Sequence, residues 1–524
     1  MKRYRVWAMI LSMVLLLTGC STEKQAEAPD DNYRTYYEVF VRSYYDGDGD
    51  GIGDFKGLTE KLDYITELGF NGIWLMPIMP SPTYHKYDVT DYYAIDPQYG
   101  TMEDFKSFLA ACEERGIRVI IDMVFNHTSS EHPWFKEAYQ YLQGLEAGQE
   151  PDVNACPYVE YYNFQREFTT GYSVVEGTEW YYESRFWYGM PDLNLQNAAV
   201  RAELEEIAKY WLDMGVSGFR LDAAKEYETG NAEANIEILK WYTDFVKDYK
   251  PEAYLVAEVW DTLEAVTAYY ASGIDSIFNY PFGNHDGKVV LTIKSAGGGK
   301  TGAAFAQALE EVENGFKAQN PNMIDAPFLS NHDTGRIAGF LAPSEDKIKL
   351  GGAVNLLMSG SSFVYYGEEI GMKGAGKDEN KRAPMQWTTA DGEGMTNPPP
   401  NMDKVQQKYG TVEEQINDAD SIYSYYKNAI ALRNTYPEIA RGSQKAVTLS
   451  DGDIIVIAKE YEEEIAYVVI NNSEDEKQID LKGTALEDTK LKSTLVVNPS
   501  VQAESITLKK NQLSMPGLGI CILK

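Results

Sequence analysis

Apolar positions along this chain alternate between short runs of strand length and longer stretches with helical spacing. The short runs predict strands at residues 36–41, 72–76, 117–125, 218–221, 254–257, 274–279, 323–329 and 362–366. The longer stretches predict helices at residues 58–68, 102–115, 200–214, 234–248, 302–316 and 346–358. Eight strands with helices between them indicate an α/β protein built on a parallel (β/α)8 TIM barrel.

Two segments depart from this alternation. Residues 127–186 are rich in Tyr, Glu and Gly, have weak periodicity and are too long for a connecting loop. They predict a small domain inserted after the third strand. After Pro437, short β runs separated by turn residues predict an all-β C-terminal domain, a β-sandwich over residues 438–524. The barrel is therefore expected to comprise residues 34–126 and 187–437.

The N-terminus has the pattern of an export signal. Three basic residues precede an apolar run from Trp7 to Leu17, which is too short to favour a membrane-spanning helix. The run closes on Leu17–Cys20, which resembles a bacterial lipobox and implies a lipoprotein signal peptide over residues 1–20 with lipidation at Cys20. Residues 21–33 lack apolar periodicity and predict a tether.

We therefore expect a protein of the bacterial cell envelope, lipid-anchored outside the cytoplasmic membrane, with no transmembrane helix in the mature chain. An uncleaved signal anchor is the alternative.

Composition narrows the class of partners. The chain has 47 basic and 80 acidic residues and a net charge of −33. Such a surface repels nucleic acid and anionic lipid, so neither is an expected partner, and we expect a monomer. Apart from Cys20, the cysteines Cys112, Cys156 and Cys521 are widely separated and form neither a metal motif nor a disulfide framework.

Polar residues gather at the predicted C-terminal ends of the barrel strands, where the working groups of such barrels lie. These residues are Asp122, Asn126 and His127 after the third strand, Arg220 and Asp222 after the fourth, Glu258 after the fifth, and His332 and Asp333 after the seventh. Several carboxylates, two histidines and an arginine at one mouth indicate a catalytic site rather than unrelated caps or solvated loop charges.

The spacing of the strands points to one type of chemistry. Neighbouring strands lie about 4.8 Å apart, so Asp222 and Glu258 are expected near the roughly 5 Å that separates the carboxylates of a retaining glycosidase. Asp222, beside Arg220, would stay ionised and act as the nucleophile. Glu258 has apolar neighbours and is expected to have a raised pKa, which suits the acid/base. Asp333 is expected to bind sugar hydroxyls and to favour the distorted ring.

Four segments follow one another in the same order as the sequence motifs of a known protein family. They are Asp122–His127, Gly218–Lys225, Val256–Trp260 and Phe328–Asp333, with further matches at Tyr84–Asp88, Met190–Asn194 and Gly367–Gly371. Over about residues 35–440 the sequence resembles the α-amylase family, glycoside hydrolase family 13. Within it, the chain resembles the lipoprotein α-amylases intermediate between α-amylases and oligo-1,6-glucosidases. The resemblance implies an α-glucan substrate and a double-displacement mechanism.

The resemblance also implies a role for individual residues. Asp222 would be the nucleophile, Glu258 the acid/base and Asp333 the transition-state stabiliser. Tyr87 would be the aromatic platform under the reacting sugar. The other expected substrate-binding residues are His85, His127, Arg220, Lys225, Trp260 and His332.

Specificity is indicated by the residue after the nucleophile. It is Ala223, as in many α-amylases, whereas oligosaccharidases that cleave α-1,6 bonds usually have valine there. We therefore expect cleavage of α-1,4-glucosidic bonds in starch, maltodextrins and related α-glucans, by endo or exo action. The alternatives are an oligo-1,6-glucosidase or α-glucosidase acting on short oligosaccharides, and a non-catalytic glucan-binding lipoprotein.

A structural calcium ion is expected in the segment Asp46–Asp54, which places carboxylates at alternate positions between glycines and so suits a hard cation. The segment begins like an EF-hand loop, but its twelfth position is Gly57 and no helix pair is evident. In the family a like segment after the first strand binds calcium. The ligands implied are Asp46, Asp48, Asp50, the carbonyl of Ile52, and Asp54.

One position departs from the family pattern. Glu226 follows Lys225 where the family commonly has histidine. This departure weakens the expectation of a second calcium ion between the barrel and the inserted domain, to which Asn126 would contribute.

Overall fold

The computed structural model of this chain describes residues 29–299, 301–389 and 392–524. The predicted signal peptide, Cys20 and most of the tether lie outside the described residues. Residues 29–33 of the predicted tether pack against the folded chain, where the Asp31 carboxylate accepts hydrogen bonds from Arg441 Nε at 2.7 Å and Nη2 at 2.9 Å. Within the described ranges, no helix combines the length and the apolar character needed to cross a bilayer.

The strands of the described residues are numbered in chain order. They are β1 Thr35–Val39, β2 Gly72–Leu75, β3 Arg118–Met123, β4 Phe164–Gln165, β5 Tyr172–Val174, β6 Tyr181–Glu183, β7 Gly218–Leu221, β8 Tyr254–Ala257, β9 Ser276–Ile277, β10 Ser362–Tyr365, β11 Ser443–Ala446, β12 Ile454–Tyr461, β13 Glu464–Asn471, β14 Lys477–Asp480, β15 Leu491–Leu495, β16 Thr507–Lys509, β17 Gln512–Met515 and β18 Ile520–Leu523.

The α-helices are numbered in the same way. They are α1 Phe55–Glu60, α2 Leu62–Leu68, α3 Met102–Glu114, α4 Pro133–Gln143, α5 Ala198–Met214, α6 Ala232–Tyr249, α7 Leu263–Tyr269, α8 Lys288–Lys294, α9 Thr301–Gln319, α10 Ile337–Leu341, α11 Glu345–Leu356, α12 Asp378–Lys381, α13 Val412–Gln415, α14 Ile422–Thr435, α15 Pro437–Arg441 and α16 Pro499–Gln502.

Seven strands form a parallel sheet in the spatial order β10-β1-β2-β3-β7-β8-β9. The sheet closes through the predicted strand 323–329, in which Ala326 bridges Phe278 and Phe328 bridges Phe363. This segment makes isolated bridges rather than a regular ladder, because Pro327 lies between them and has no N–H to donate. The predicted (β/α)8 barrel is confirmed.

The barrel interior is filled by aromatic side chains, which form the floor of the strand-end site. Tyr36 stacks on Phe363 with ring centroids 4.8 Å apart and on Tyr254 at 5.4 Å. Above them, Trp74 donates a hydrogen bond from Nε1 to the Asp122 carboxylate at 3.3 Å. The aromatic core of the barrel is therefore in direct contact with the polar cluster at the strand ends.

The inserted segment has one helix and a small antiparallel sheet in the order β4-β6-β5. Helix α4 was not predicted; the His132 side chain accepts a hydrogen bond from the Trp134 backbone N–H, and a proline occupies the first helical turn. Antiparallel bridges from His127 to Asp192 and from Tyr162 to Leu193 tie the segment to the chain that re-enters the barrel.

The C-terminal part forms two antiparallel sheets, in the orders β11-β12-β13-β18-β15 and β14-β17-β16. They enclose an apolar core of their own that includes Val456, Val469, Leu513 and Cys521. The predicted all-β C-terminal domain is confirmed.

The helices differ from the predictions in detail. The predicted helix 58–68 is two helices, α1 and α2, with Lys61 between them. Helix α5 has clear end signals, since the Asn197 side chain caps its first turn and Gly215 takes a left-handed conformation after its last. Helices α7, α8 and α14 were not predicted.

Candidate active site

The Arg220 guanidinium binds three carboxylates at the ends of three neighbouring strands. Its Nη1 lies 2.8 Å from Asp122 Oδ1 and 2.5 Å from Asp222 Oδ1, and its Nη2 lies 2.6 Å from Glu258 Oε2. Asp122 is directly opposite Arg220 in the register of β3 and β7. Arg220 is fully buried, and a buried cation needs such partners because transfer out of water is costly.

Asp222 and Glu258 are cross-strand neighbours. The ladder of β7 and β8 continues past both strands, with the Glu258 N–H donating to Leu221 O at 2.9 Å and the Ala224 N–H donating to Glu258 O at 3.0 Å. Adjacent strands are about 4.8 Å apart, the spacing that suits a retaining pair of carboxylates. Between them, Ala223 has a left-handed backbone with φ of 48°, and its N–H donates to Glu258 Oε2 at 3.1 Å.

Burial shapes the protonation of this pair. It raises the pKa of Asp222 to about 6, although Arg220 opposes the shift. Burial also raises the pKa of Glu258, and the charges of Asp222 and Asp333 add to that effect. Arg220 lies beside Asp222, and its side chain also spans the gap between the two strands and contacts Glu258.

Asp333 lies between two cations. Its Oδ2 is 2.9 Å from His332 Nε2, and its Oδ1 is 2.7 Å from Arg382 Nη2. Burial favours the protonated form, but His332 and Arg382 outweigh it and hold the pKa of Asp333 well below its usual range. Arg382 was missed in the sequence because it follows α12, outside the strand ends.

His332 is held on both ring nitrogens. Its Nδ1 lies 2.7 Å from Glu38 Oε1, and its Nε2 lies 2.7 Å from the Tyr87 hydroxyl. Burial alone would lower the pKa of His332, but Asp333 and Glu38 raise it to about 9. Glu38 was also missed, although a charged residue in the buried apolar strand β1 was a signal that could have identified it.

The other two histidines at the site are neutral, because burial lowers the pKa of both His85 and His127 to about 4. His127 Nε2 lies 3.0 Å from the Tyr87 carbonyl, so its N–H is bound to the backbone rather than free for a sugar. His85 Nδ1 accepts from the Tyr87 N–H at 3.2 Å, which leaves its Nε2 to carry the ring proton.

The strand ends open into a cleft of about 580 Å³. Its walls are formed by His85, Tyr87, His127, Phe186, Trp187, Met190, Asp222, Ala223, Lys225, Glu226, Glu258, Trp260, Asp333, Asp378 and Arg382. The three predicted catalytic carboxylates and five of the predicted substrate-binding residues therefore share one cleft. The other two, Arg220 and His332, are fully buried behind it.

An aromatic pair forms the wall next to Glu258. Trp260, which is 42% exposed, stacks on Tyr280 with ring centroids 5.1 Å apart and an interplanar angle of 11°. The Tyr280 hydroxyl lies 3.4 Å from Glu258 Oε1. Lys225 Nζ is bound to the Trp260 carbonyl at 2.8 Å, so this lysine braces the wall.

The junction of the barrel with the inserted segment contains the position that departs from the family pattern. Glu226 Oε2 pairs with Arg185 Nε at 2.9 Å. The Asp192 carboxylate accepts from the Arg185 backbone N–H at 2.9 Å and from Asn126 Nδ2 at 3.2 Å. At this junction both carboxylates therefore bind N–H groups of the protein, and Glu226 forms an ion pair with Arg185.

The acidic loop after β1 brings three of its predicted ligands together. The carboxylates of Asp46, Asp48 and Asp50 lie within 4.8 Å of one another. In the described part of the chain, none of the three pairs with a lysine or arginine. Asp54 lies outside this group, because its carboxylate caps α1 through the Gly57 N–H at 2.8 Å. The three carboxylates accept hydrogen bonds from backbone N–H groups of the loop, and together they form an oxygen donor set that fits calcium.

Comparisons with known proteins agree with this geometry. The family model described as "Alpha amylase, catalytic domain" matches residues 38–442. Alpha-amylase 3 of Dictyoglomus thermophilum is 38% identical over 453 aligned positions, which cover 83% of this chain and 84% of that protein. Probable oligo-1,6-glucosidase 2 of Bacillus subtilis is 30% identical over 526 positions, covering 84% and 90%. The solved structure of Eubacterium rectale Amy13B has a TM-score of 0.91 and 46% identity, and the match covers 95% of this chain and 96% of that one.

Proposed function

Because this chain belongs to the α-amylase family of glycoside hydrolases, we propose that it cleaves α-1,4-glucosidic bonds in starch, maltodextrins and related α-glucans with retention of configuration. One observation carries the proposal. Asp222 and Glu258 stand side by side on paired strand ends, with Asp333 in the same cleft.

In the first step, an Asp222 carboxylate oxygen attacks the anomeric carbon of the bound sugar. Glu258 donates its proton to the glycosidic oxygen, so the bond to the leaving sugar breaks as the bond to Asp222 forms. The raised pKa of Glu258 suits this donation, and Asp222 is ionised at neutral pH because its pKa is about 6. The product of this step is a covalent glycosyl-enzyme.

In the second step, Glu258 accepts a proton from a water molecule. The resulting hydroxide attacks the anomeric carbon, the bond to Asp222 breaks, and Asp222 leaves as a carboxylate. Two inversions at the same carbon give net retention. Glu258 ends protonated and is ready for the next cycle.

Asp333 stabilises the charge that develops on the sugar ring between these steps. It is ionised because His332 and Arg382 bind its two oxygens, and a fixed carboxylate stabilises a developing oxocarbenium charge. Tyr87 supplies the ring face beneath the same sugar, with its hydroxyl anchored to Asp122 at 3.0 Å.

A second candidate activity is that of an oligo-1,6-glucosidase or α-glucosidase acting on short oligosaccharides. It is favoured by the 30% identity to Probable oligo-1,6-glucosidase 2. Ala223 beside the nucleophile supports the α-1,4 activity instead.

The products from maltoheptaose, amylopectin and isomaltose test the proposal. Mixed short maltodextrins without cleavage of isomaltose would support the α-1,4 activity, and glucose from isomaltose would support the alternative.

Asp222→Asn is expected to abolish the release of reducing ends from starch. The matched control is Asp244→Asn, which changes an exposed aspartate on α6; equal activity of the two variants would contradict the mechanism.

The proposal includes a structural calcium ion in the acidic loop. Asp46, Asp48 and Asp50 would hold it, joined by the Ile52 carbonyl. The ion would stabilise the loop that follows β1. The loop does not line the cleft, so the ion would fix the fold rather than take part in the reaction.

We also propose that the enzyme is a monomer anchored by lipid at Cys20 in the bacterial cell envelope, with the catalytic barrel outside the cytoplasmic membrane. The basic residues, apolar run and lipobox-like end of residues 1–20 support this. Mass spectrometry of the N-terminal peptide should show the added mass of a lipid on Cys20, and an unmodified Cys20 would contradict the lipid anchor. Size-exclusion chromatography of the chain without residues 1–20 tests the monomer.

A further inference from the structure

Glu38 is a buried carboxylate that contacts the catalytic cluster from behind the cleft. It lies on β1 with a relative exposure of 1%. Its Oε1 is 2.7 Å from His332 Nδ1 and 3.3 Å from the His332 backbone N. Neither Glu38 nor His332 lines the cleft, so Glu38 acts on the cleft through His332 and the Asp333 carboxylate that His332 binds.

The hydrogen bonds around His332 fix where its protons lie. Burial raises the pKa of Glu38, but the hydrogen bond to His332 and the charges of His332 and Arg220 oppose that shift. A Glu38 that stays ionised requires a proton on Nδ1. The other nitrogen, Nε2, faces two oxygens, Tyr87 Oη at 2.7 Å and Asp333 Oδ2 at 2.9 Å. A bare Nε2 would face the Asp333 carboxylate as a second acceptor, and it would draw the Tyr87 proton away from Asp122. A proton on both nitrogens satisfies every group in the chain of contacts.

From this geometry we propose that Glu38 is a positioning residue that keeps His332 as an imidazolium, and that His332 in turn keeps Asp333 ionised and Tyr87 hydrogen-bonded to Asp122. The inference rests on the proposed function, since it concerns the same hydrolysis. It adds a buried carboxylate on the first strand to the residues on which the reaction depends.

The charged groups around His332 explain why the Glu38 carboxylate affects the protonation of this histidine. Negative groups face the ring from three elements: Glu38 from β1, Asp122 from β3 and the adjacent Asp333. Positive groups oppose them, namely Arg220 from β7 and Arg382, whose Nε binds the His332 carbonyl at 3.2 Å. Without the charge of Glu38, His332 keeps the Asp333 carboxylate at Nε2 but loses the carboxylate at Nδ1, so the imidazolium is less stable.

The titration of His332 by NMR tests the inference. The chain contains five histidines, so histidine-selective labelling gives few signals, and His332 is assigned by its loss in His332→Gln. In the wild type we expect a pKa of about 9 for His332. In Glu38→Gln we expect that pKa to fall by about one to three units. Glu38→Asp keeps the charge and should restore most of the shift.

The activity readout follows from the titration. For Glu38→Gln we expect kcat to fall selectively above pH 7, where His332 has lost its charge, with a smaller change in KM. The control is Glu369→Gln, a buried glutamate that binds the hydroxyls of Tyr37 and Tyr64 instead of the site. Its pH profile should match that of the wild type.

Two results would overturn the inference. One is a wild-type His332 that titrates at or below the ordinary pKa of about 6.5, a measurement that needs no folded Glu38 variant. The other is an unchanged His332 pKa in Glu38→Gln. Neither depends on turnover, so a protein inactive on α-1,4-glucans would refute the proposed function while leaving the titration a test of Glu38.

Discussion

Arg185 binds Glu226 with an Nε–Oε2 distance of 2.9 Å, and this ion pair joins the chain next to the cleft residues Phe186 and Trp187 to the loop that follows Asp222. The pair is partly exposed, with 45% of the Arg185 side chain and 15% of the Glu226 side chain accessible. Water and salt therefore weaken it. We therefore expect the ion pair to affect the position of the cleft wall more than the free energy of unfolding.

We predict that Arg185→Gln raises KM for maltoheptaose about two- to fivefold. This change corresponds to an interaction free energy of about 0.5–1 kcal/mol between Arg185 and Glu226. We expect kcat to change less, because the reacting carboxylates are untouched. Steady-state kinetics of Arg185→Gln, Glu226→Gln and the double variant measure the coupling of the two side chains. Additive effects would show that the pair does not act as a unit.

Trp260 is predicted to contribute its exposed ring face to substrate binding. Trp260→Ala removes that face and the stacking partner of Tyr280, whose hydroxyl lies 3.4 Å from Glu258. A stacked aromatic is worth about 1 kcal/mol, so we expect KM to rise about fivefold and kcat to fall as well. Tyr249→Ala is the control, since Tyr249 is 40% exposed at the end of α6, outside the cleft. Similar kinetics in both variants would contradict a role for Trp260.

The acidic limb of the pH–activity profile is predicted to lie near pH 6. Asp222 attacks only as a carboxylate, and burial raises its pKa to about 6. kcat/KM should therefore fall about tenfold for each pH unit below that value. A profile of kcat/KM on a short maltodextrin between pH 4 and 8 checks this. A limb at or below pH 4 would mean that Asp222 titrates as an ordinary aspartate.

The same shift predicts a cost to stability. The pKa of Asp222 is higher in the folded chain than its ordinary value of 3.8. The folded protein therefore binds a proton that the unfolded chain has lost between about pH 4 and 6, and stability falls across that window as pH rises. Asp222→Asn removes this loss, so its Tm should exceed that of the wild type by a few degrees at pH 7.5. The difference should be smaller near pH 5. A lower Tm for Asp222→Asn at pH 7.5 would contradict the prediction.

Chelation tests the calcium loop. If calcium binds Asp46, Asp48 and Asp50, a chelator should lower the Tm of the wild type, because an ion that binds only the folded state stabilises it by about 2–4 kcal/mol at saturating concentration. Asp48→Asn should show a low Tm with or without the chelator. Asp244→Asn, away from the loop, should respond like the wild type. No effect of chelator on the wild-type Tm would argue against the ion.

Much of the architecture is predictable because it rests on local patterns. Apolar period and turn residues give the alternation of strands and helices, and the strand-end rule then selects Asp222, Glu258 and Asp333 without coordinates. In other places the tertiary structure differs from what the local pattern predicts. The predicted strand 323–329, which closes the barrel, forms isolated bridges because Pro327 interrupts its hydrogen-bond ladder. Helix α4 was missed because its end signals lie in a segment of weak periodicity.

The sequence by itself determined which residue types stand at the strand ends and in what order, because a strand has a period of two and its end is marked by its neighbours in the chain. Only the tertiary structure decided which charges meet. Glu38 and Arg382 are distant along the chain from the residues that they contact, which are His332 and Asp333 respectively. The protonation of buried carboxylates depends on the sum of burial and all nearby charges, and that sum exists only once the barrel has closed.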